Sequence, residues 1–211
     1  MYRCLIANRG EIAVRIIRAC REMGIETVAI YAKGDEDSLH VGLADQAICI
    51  GEANPLDSYL NIPRIIGAAE VSGANAIHPG YGFLSESTSF AEAVEDNNIH
   101  FIGPNKTTME MMGDKITARQ TVDGAGVPVI PGSTDEVKSV EEIEELAKDI
   151  GFPVVLKAAS GGGGKGIRIV KEPEQLAKAF KEAKSEGQKY FNDDRVYVCL
   201  LYTSPSPRDR Q

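Results

Sequence analysis

The run Val154-Val155-Leu156-Lys157-Ala158-Ala159-Ser160-Gly161-Gly162-Gly163-Gly164-Lys165-Gly166-Ile167-Arg168-Ile169-Val170 reads as strand, loop, strand. Aliphatic residues bracket the glycines on both sides, and a lysine stands at each end of the loop. Four consecutive glycines leave a row of backbone N–H groups with no side chains in the way, which suits close wrapping of phosphate oxygens. Lys157 and Lys165 add the positive charge that a merely slack hairpin tip does not need. A Walker A loop is excluded, because there Gly-Lys is followed by Ser or Thr and opens a helix. Here Gly164-Lys165 is followed by Gly166 and a second strand. A dinucleotide fingerprint is excluded too. The nearest match, Gly80-Tyr81-Gly82-Phe83-Leu84-Ser85, lacks its third glycine.

Upstream of the loop, short β-like runs alternate with helical patterns. Strands are predicted over 4–7, 27–31, 47–50, 76–78 and 100–103, and helices over 11–23, 63–72 and 87–96. Such alternation implies a parallel sheet covered on both faces, with ligands beyond the carboxyl ends of the strands. Asn8-Arg9-Gly10 and the 78–82 turn both fall there. Arg9 and Glu11 read as groups that fix the first turn, and His78 as a turn cap or a group that orients substrate. After a break at Gly103-Pro104, helices are expected over 107–112 and 115–122, then an extended linker over 127–132. A second unit of helix, hairpin, helix and strand follows, with a capping box at Ser139 and Glu142, a helix over 173–186 and a last strand over 196–200.

The bulk properties narrow the classes. The chain has 211 residues and a net charge of −8, which argues against a nucleic-acid or anionic-membrane binder. Its four cysteines are scattered without a C-x-x-C, so a zinc site is not expected, and the usage suits a reducing cytoplasm. No apolar run approaches the ~20 residues of a membrane span, and the first residues run straight into a strand rather than a signal peptide.

Several long motifs in order carry a family resemblance: Ile6-Ala7-Asn8-Arg9-Gly10-Glu11-Ile12-Ala13, Ser58-Tyr59-Leu60-Asn61, His78-Pro79-Gly80-Tyr81-Gly82-Phe83-Leu84-Ser85-Glu86, Phe101-Ile102-Gly103-Pro104, Met112-Gly113-Asp114-Lys115 and the glycine loop. From Arg3 to Val198 the chain resembles the biotin carboxylases, the ATP-grasp ligases that carboxylate biotin in acetyl-CoA, propionyl-CoA and pyruvate carboxylases. The resemblance implies an α/β fold: a parallel-sheet, Rossmann-like pre-ATP-grasp domain over 1–112, then a truncated α+β ATP-grasp domain over 113–198. It also implies that Lys115, Lys157, Gly161, Gly162, Gly163, Gly164 and Gly166 contact ATP, the glycines as a closing lid. Implied besides are Mg²⁺, carrier-bound biotin, a biotin carboxyl carrier protein or domain, a carboxyltransferase and a homodimer contact near the first helix. No catalytic residue or metal ligand is expected within the chain, because the family places them after Val198.

Residues 199–211 depart from the pattern. Family members continue with a Glu-Lys pair whose backbone holds the adenine, where this chain has Cys199-Leu200-Leu201-Tyr202. The following prolines, serines and alternating charges cannot build a core, and they resemble a translated sequencing adapter. The expectation is therefore a fragment inactive alone, with its last strand edge exposed and its second unit poorly supported. Two alternatives stand beside it: another ATP-grasp ligase, such as a carbamoyl-phosphate synthetase half, or a non-catalytic interaction and dimerisation domain.

Overall fold

The computed structural model describes residues 2–160 and 165–202. The chain divides into two compact units, Met1–Glu110 and Met111–Gln211. The phosphate contacts expected of Gly161 to Gly164, and the tail beyond residue 202, lie outside the described residues.

The first unit alternates strands and helices: β1 (Arg3–Ile6), α1 (Gly10–Glu22), β2 (Glu26–Ala32), α2 (Leu39–Leu43), β3 (Gln46–Gly51), a 3-10 turn at Pro55–Asp57, α3 (Ile62–Ser72), β4 (Ala76–His78), α4 (Thr88–Asp96) and β5 (His100–Phe101); α5 (Lys106–Gly113) contains the boundary between the units. The sheet is parallel throughout, in the order β3-β2-β1-β4-β5. The direction of winding therefore reverses between β1 and β4. Alternation along β1 serves both faces. Leu5 joins Val28, Ile30, Ile65, Ile77 and Phe90 on one side, while Cys4 and Ile6 meet Ala13, Ile16, Ile17 and Cys20 on the other. Local chemistry sets the helix ends. Asn61 caps α3 by accepting the Arg64 amide, and Gly73 ends that helix at φ +68°. Five-residue α2 went unread because one turn is too short to show a helical period. The strand predicted over 100–103 pairs only at His100 and Phe101.

In the second unit α6 (Lys115–Gly124), α7 (Val140–Ile150) and α8 (Leu176–Phe191) accompany β6 (Val154–Ala158), β7 (Ile167–Val170) and β8 (Val196–Leu200). The strands form an antiparallel sheet ordered β7-β6-β8. Val154, Leu156, Val170, Val196 and Val198 pack with Ile143, Ala147, Leu176, Ala179 and Ala183 into a buried core. The opposite face carries Val155, Tyr197 and Cys199, covered by Ile116 of α6.

Two expectations are corrected here. The outer edge of β8 is not open. The Ser133 and Val137 amides donate to the Val198 and Val196 carbonyls, both at 2.8 Å, and the Leu200 amide donates to the Pro131 carbonyl at 2.8 Å. Segment 131–137 lies along the edge because Gly132 permits it: a Cβ there would press on the Val198 carbonyl and the Cys199 backbone. Nor does the second helix stop at 186. It passes through Gly187, whose missing side chain leaves room for the Asp193 carbonyl, and ends at Asn192 with φ +54°.

Candidate nucleotide-phosphate site

Beyond the carboxyl ends of β1 and β4 two sequence motifs interlock. Asn8 is buried, and its Nδ2 donates to the Pro79 and Tyr81 carbonyls at 2.8 and 2.9 Å. Gly80, at φ +67°, sits where a Cβ would lie 2.7 Å from the Ile12 side chain. His78 Nδ1 accepts the Gly80 amide at 3.0 Å, so it caps the turn, and burial holds its pKa below the ordinary value, in keeping with a neutral acceptor. Arg9 pairs with Asp35 at 2.9 Å and lies over the Tyr59 ring, while Glu11 accepts the Tyr81 hydroxyl. These residues lock loops to one another.

In the second unit the structure gathers two of the predicted lysines at the leading end of the glycine loop. Lys157, half-buried, is the penultimate residue of β6, paired with Ile167 and Tyr197. Residues paired across strands share a face. Lys157 therefore stands on the face that carries Val155, Tyr197 and Cys199, with Ile167 and Ile169 exposed beside it. Lys115 begins α6. Its amide donates to the Ala159 carbonyl at 3.2 Å and its Nζ approaches the same oxygen at 3.4 Å. Lys115 thus touches the chain two residues past Lys157.

The loop ends are held differently. At the trailing end Gly166 takes φ +69°, its Cα close against Ala158, and its amide donates to Glu186 at 2.9 Å. Arg168 pairs with Glu182 and Glu186 on α8, and Lys165 lies 4.2 Å above the Tyr190 ring. At the leading end Ser160 Oγ donates to Asp193. Arg195 binds Asp193 and Asp114, each at 2.7 Å. The Arg195 guanidinium, opposed by burial and helped by Ser160, holds the Asp193 carboxyl down at about 2. Burial pushes Asp114 upward, but the Thr117 amide and Arg195 outweigh it and leave it below the carboxylate range. Sequence reasoning missed Asp193, Arg195, Arg168 and Glu186. Asp193-Asp194-Arg195 falls between the predicted helix and the last strand, and no spacing rule links it to residue 114 or 160. Among the described residues no group of three or more His, Cys, Asp or Glu is placed to hold a metal ion.

A parallel, doubly covered unit followed by a hairpin-and-helix unit with lysines at a glycine loop is the arrangement of an ATP-grasp protein. Residues 1–109 match the profile of the biotin carboxylase N-terminal domain, and residues 114–204 that of the carbamoyl-phosphate synthase L chain ATP-binding domain. The biotin carboxylase of Nostoc sp. is 54% identical over 201 residues, which are 95% of this chain and 45% of that one. The crystal structure of a biotin carboxylase–β,γ-ATP complex from Campylobacter jejuni superposes with a TM-score of 0.88 at 49% identity, covering 95% of this chain and 45% of that one. The biotin carboxylase domain dimer of Hydrogenobacter thermophilus 2-oxoglutarate carboxylase, with MgADP, ADP and bicarbonate, gives 0.83 at 49% identity, covering 94% and 44%. The chain belongs to the biotin carboxylase family and spans about half the length of the curated relatives it matches. The carbamoyl-phosphate synthetase and non-catalytic alternatives are not favoured. No helix among the described residues is long and apolar enough to cross a membrane.

Proposed function

We propose that this chain supplies the ATP-phosphate grip of a biotin carboxylase. The observation that carries the reading is that Lys115 binds the Ala159 carbonyl, two residues past Lys157, at the leading end of the glycine loop. Lys115, Lys157, the Gly161–Gly164 amides and Gly166 bind and orient the polyphosphate. Phosphoryl transfer depends chiefly on positioning and charge neutralisation, which lysines and backbone donors provide. The exposed Ile167 and Ile169, on the Lys157 face of the sheet, suit the flat face of a base. In the whole reaction ATP and bicarbonate yield carboxyphosphate and ADP; the carboxyl group then replaces the ureido N–H proton of carrier-bound biotin, with inorganic phosphate released.

The described residues do not fit a resident Mg²⁺ site, so the metal is assigned no step on this chain. Metal ligands, the base for bicarbonate and the cations near biotin are assigned to the part of the relatives that this chain does not cover. On this reading the 211 residues grip nucleotide without completing carboxylation. A carrier protein or domain, a carboxyltransferase and a second copy are the partners of the complete enzyme, and the cytoplasm its compartment.

The test is a chimera joining this chain to the remaining portion of the Bacillus subtilis biotin carboxylase 1, which is 52% identical over 194 residues. ADP release should require bicarbonate and be accelerated by biotin. Lys157→Ala should raise the apparent KM for ATP by about tenfold or more, the scale of one charge-assisted phosphate contact. An unchanged KM removes Lys157 from the site, and ADP release supported by ammonia instead of biotin refutes the carboxylase reading.

A further inference from the structure

We infer that Arg195 is a positioning residue that ties Lys115 to the leading end of the glycine loop; the inference rests on the phosphate reading above. Its guanidinium bonds Asp114 and Asp193, and Asp193 carries the link on to Ser160. Nη2 reaches Asp114 and Asp193 at 2.7 Å each, and Nε donates to Asp193 at 3.0 Å. Asp114 is the N-cap of α6 and immediately precedes Lys115; its Oδ1 accepts the Thr117 amide at 2.8 Å. Asp193 accepts Ser160, the residue before the glycines. The backbone doubles the link, because the Ala159 amide donates to the Arg195 carbonyl at 2.9 Å while the Ala159 carbonyl accepts the Lys115 amide.

Exposed ion pairs contribute little, and Arg195 itself is 41% exposed, but its two partners are sheltered. The Asp114 and Asp193 side chains are only 19% and 14% exposed, and one planar fork serves both. Arg195 also has an electrostatic effect on the site. Without it, two carboxylates stand uncompensated beside the loop that is to hold a polyphosphate. Their repulsion grows with the ligand's charge, so the loss of affinity should rise from adenosine through ADP to ATP. A brace that only supports the fold would weaken all three alike.

The experiment uses the whole 211-residue chain and its Arg195→Met and Arg195→Lys variants. Calorimetric titration with ATP, ADP and adenosine reads the site, and amide hydrogen exchange at Lys115 and Ala159 without nucleotide reads the clamp. Arg195→Met should weaken ATP by roughly tenfold and adenosine by less than about twofold, with Arg195→Lys between it and wild type. Exchange at Lys115 and Ala159 should quicken while Ala179 and Ala183 in α8 stay protected. Unchanged exchange overturns the clamp, and equal losses for ATP and adenosine overturn the positioning role. If Arg195→Met loses protection throughout, the same two readings on Arg195→Lys decide. Wild-type chain that binds ATP no tighter than adenosine overturns the phosphate reading itself, and the exchange arm then still reports on the clamp separately.

Discussion

Asn8 and Gly166 show why single positions matter here. Asn8 is buried with both side-chain donors engaged by carbonyls of the 79–81 turn. Asn8→Ala strands those carbonyls away from solvent and should destabilise the first unit by about 1–3 kcal/mol in urea unfolding; a change within error would show that the turn holds itself. At Gly166 an added Cβ meets Ala158 Cβ at 2.8 Å on a backbone at φ +69°. Gly166→Ala should cost about 1 kcal/mol or more through strain alone. It should also lower ATP affinity if the loop's trailing end must keep this shape. A variant as stable as the parent contradicts the strain argument. Lys157 and the glycines stood out as a local pattern, a lysine at a glycine run, whereas Lys115 stood out only through its family motif. Arg195 did not, because its meaning comes from partners 81 and 2 residues away.

At the scale of elements, caps were readable and edges were not. Ser139 accepts the Glu142 amide at 3.3 Å, as the capping box predicts, but the Glu142 carboxylate takes the Lys138 amide rather than that of Ser139. Ser139→Ala should therefore cost about 1 kcal/mol, measurable as a lower urea midpoint for the second unit with an unchanged slope. The covered edge of β8 gives a second test. Gly132→Ala should push segment 131–137 off the strand and expose the amide of Leu200 to exchange, while β6–β7 amides remain protected. Continued protection of that amide would mean the edge is held by something other than the fit at Gly132. The sequence pattern suggested an open edge because the covering segment has no strand periodicity. Its role arises from register with β8.

At the scale of the whole molecule, two units with separate cores respond differently to acid. In the first, burial holds His40 below its ordinary 6.5, against the Ile30 carbonyl and nearby Asp35, with Arg9 adding to the burial effect. Its Nε2 lies 3.2 Å from that carbonyl, and its Nδ1 is buried without a hydrogen-bond partner among the described residues. A histidine with a depressed folded pKa favours folding fully above the unfolded value, and that contribution is lost as pH falls from 6.5 through the folded pKa. Asp193 behaves likewise at lower pH: its contribution is complete above 3.8 and disappears toward about 2. Urea stability of the first unit should thus decline as pH falls below about 6.5, while the second unit's carboxylate contribution holds. His40→Gln, which keeps a donor toward Ile30, should lessen that decline, buried His78 supplying the remainder. An equal decline in the variant would place the sensitivity elsewhere.

The sequence by itself determined the alternation that makes the first sheet parallel, the strand–loop–strand around the glycines, the Ser139 cap, and the family. These are encoded in periodicity, turn residues and contiguous motifs, all read along the chain. Only the tertiary structure decided that Asn8 grips the 79–81 turn, that residues 131–137 cover β8, that α8 continues through Gly187, and that Arg195 joins Asp114 to Asp193. Each of these depends on two segments distant in sequence coming within hydrogen-bond or van der Waals reach. That proximity is set by packing and strand register, which no local pattern contains.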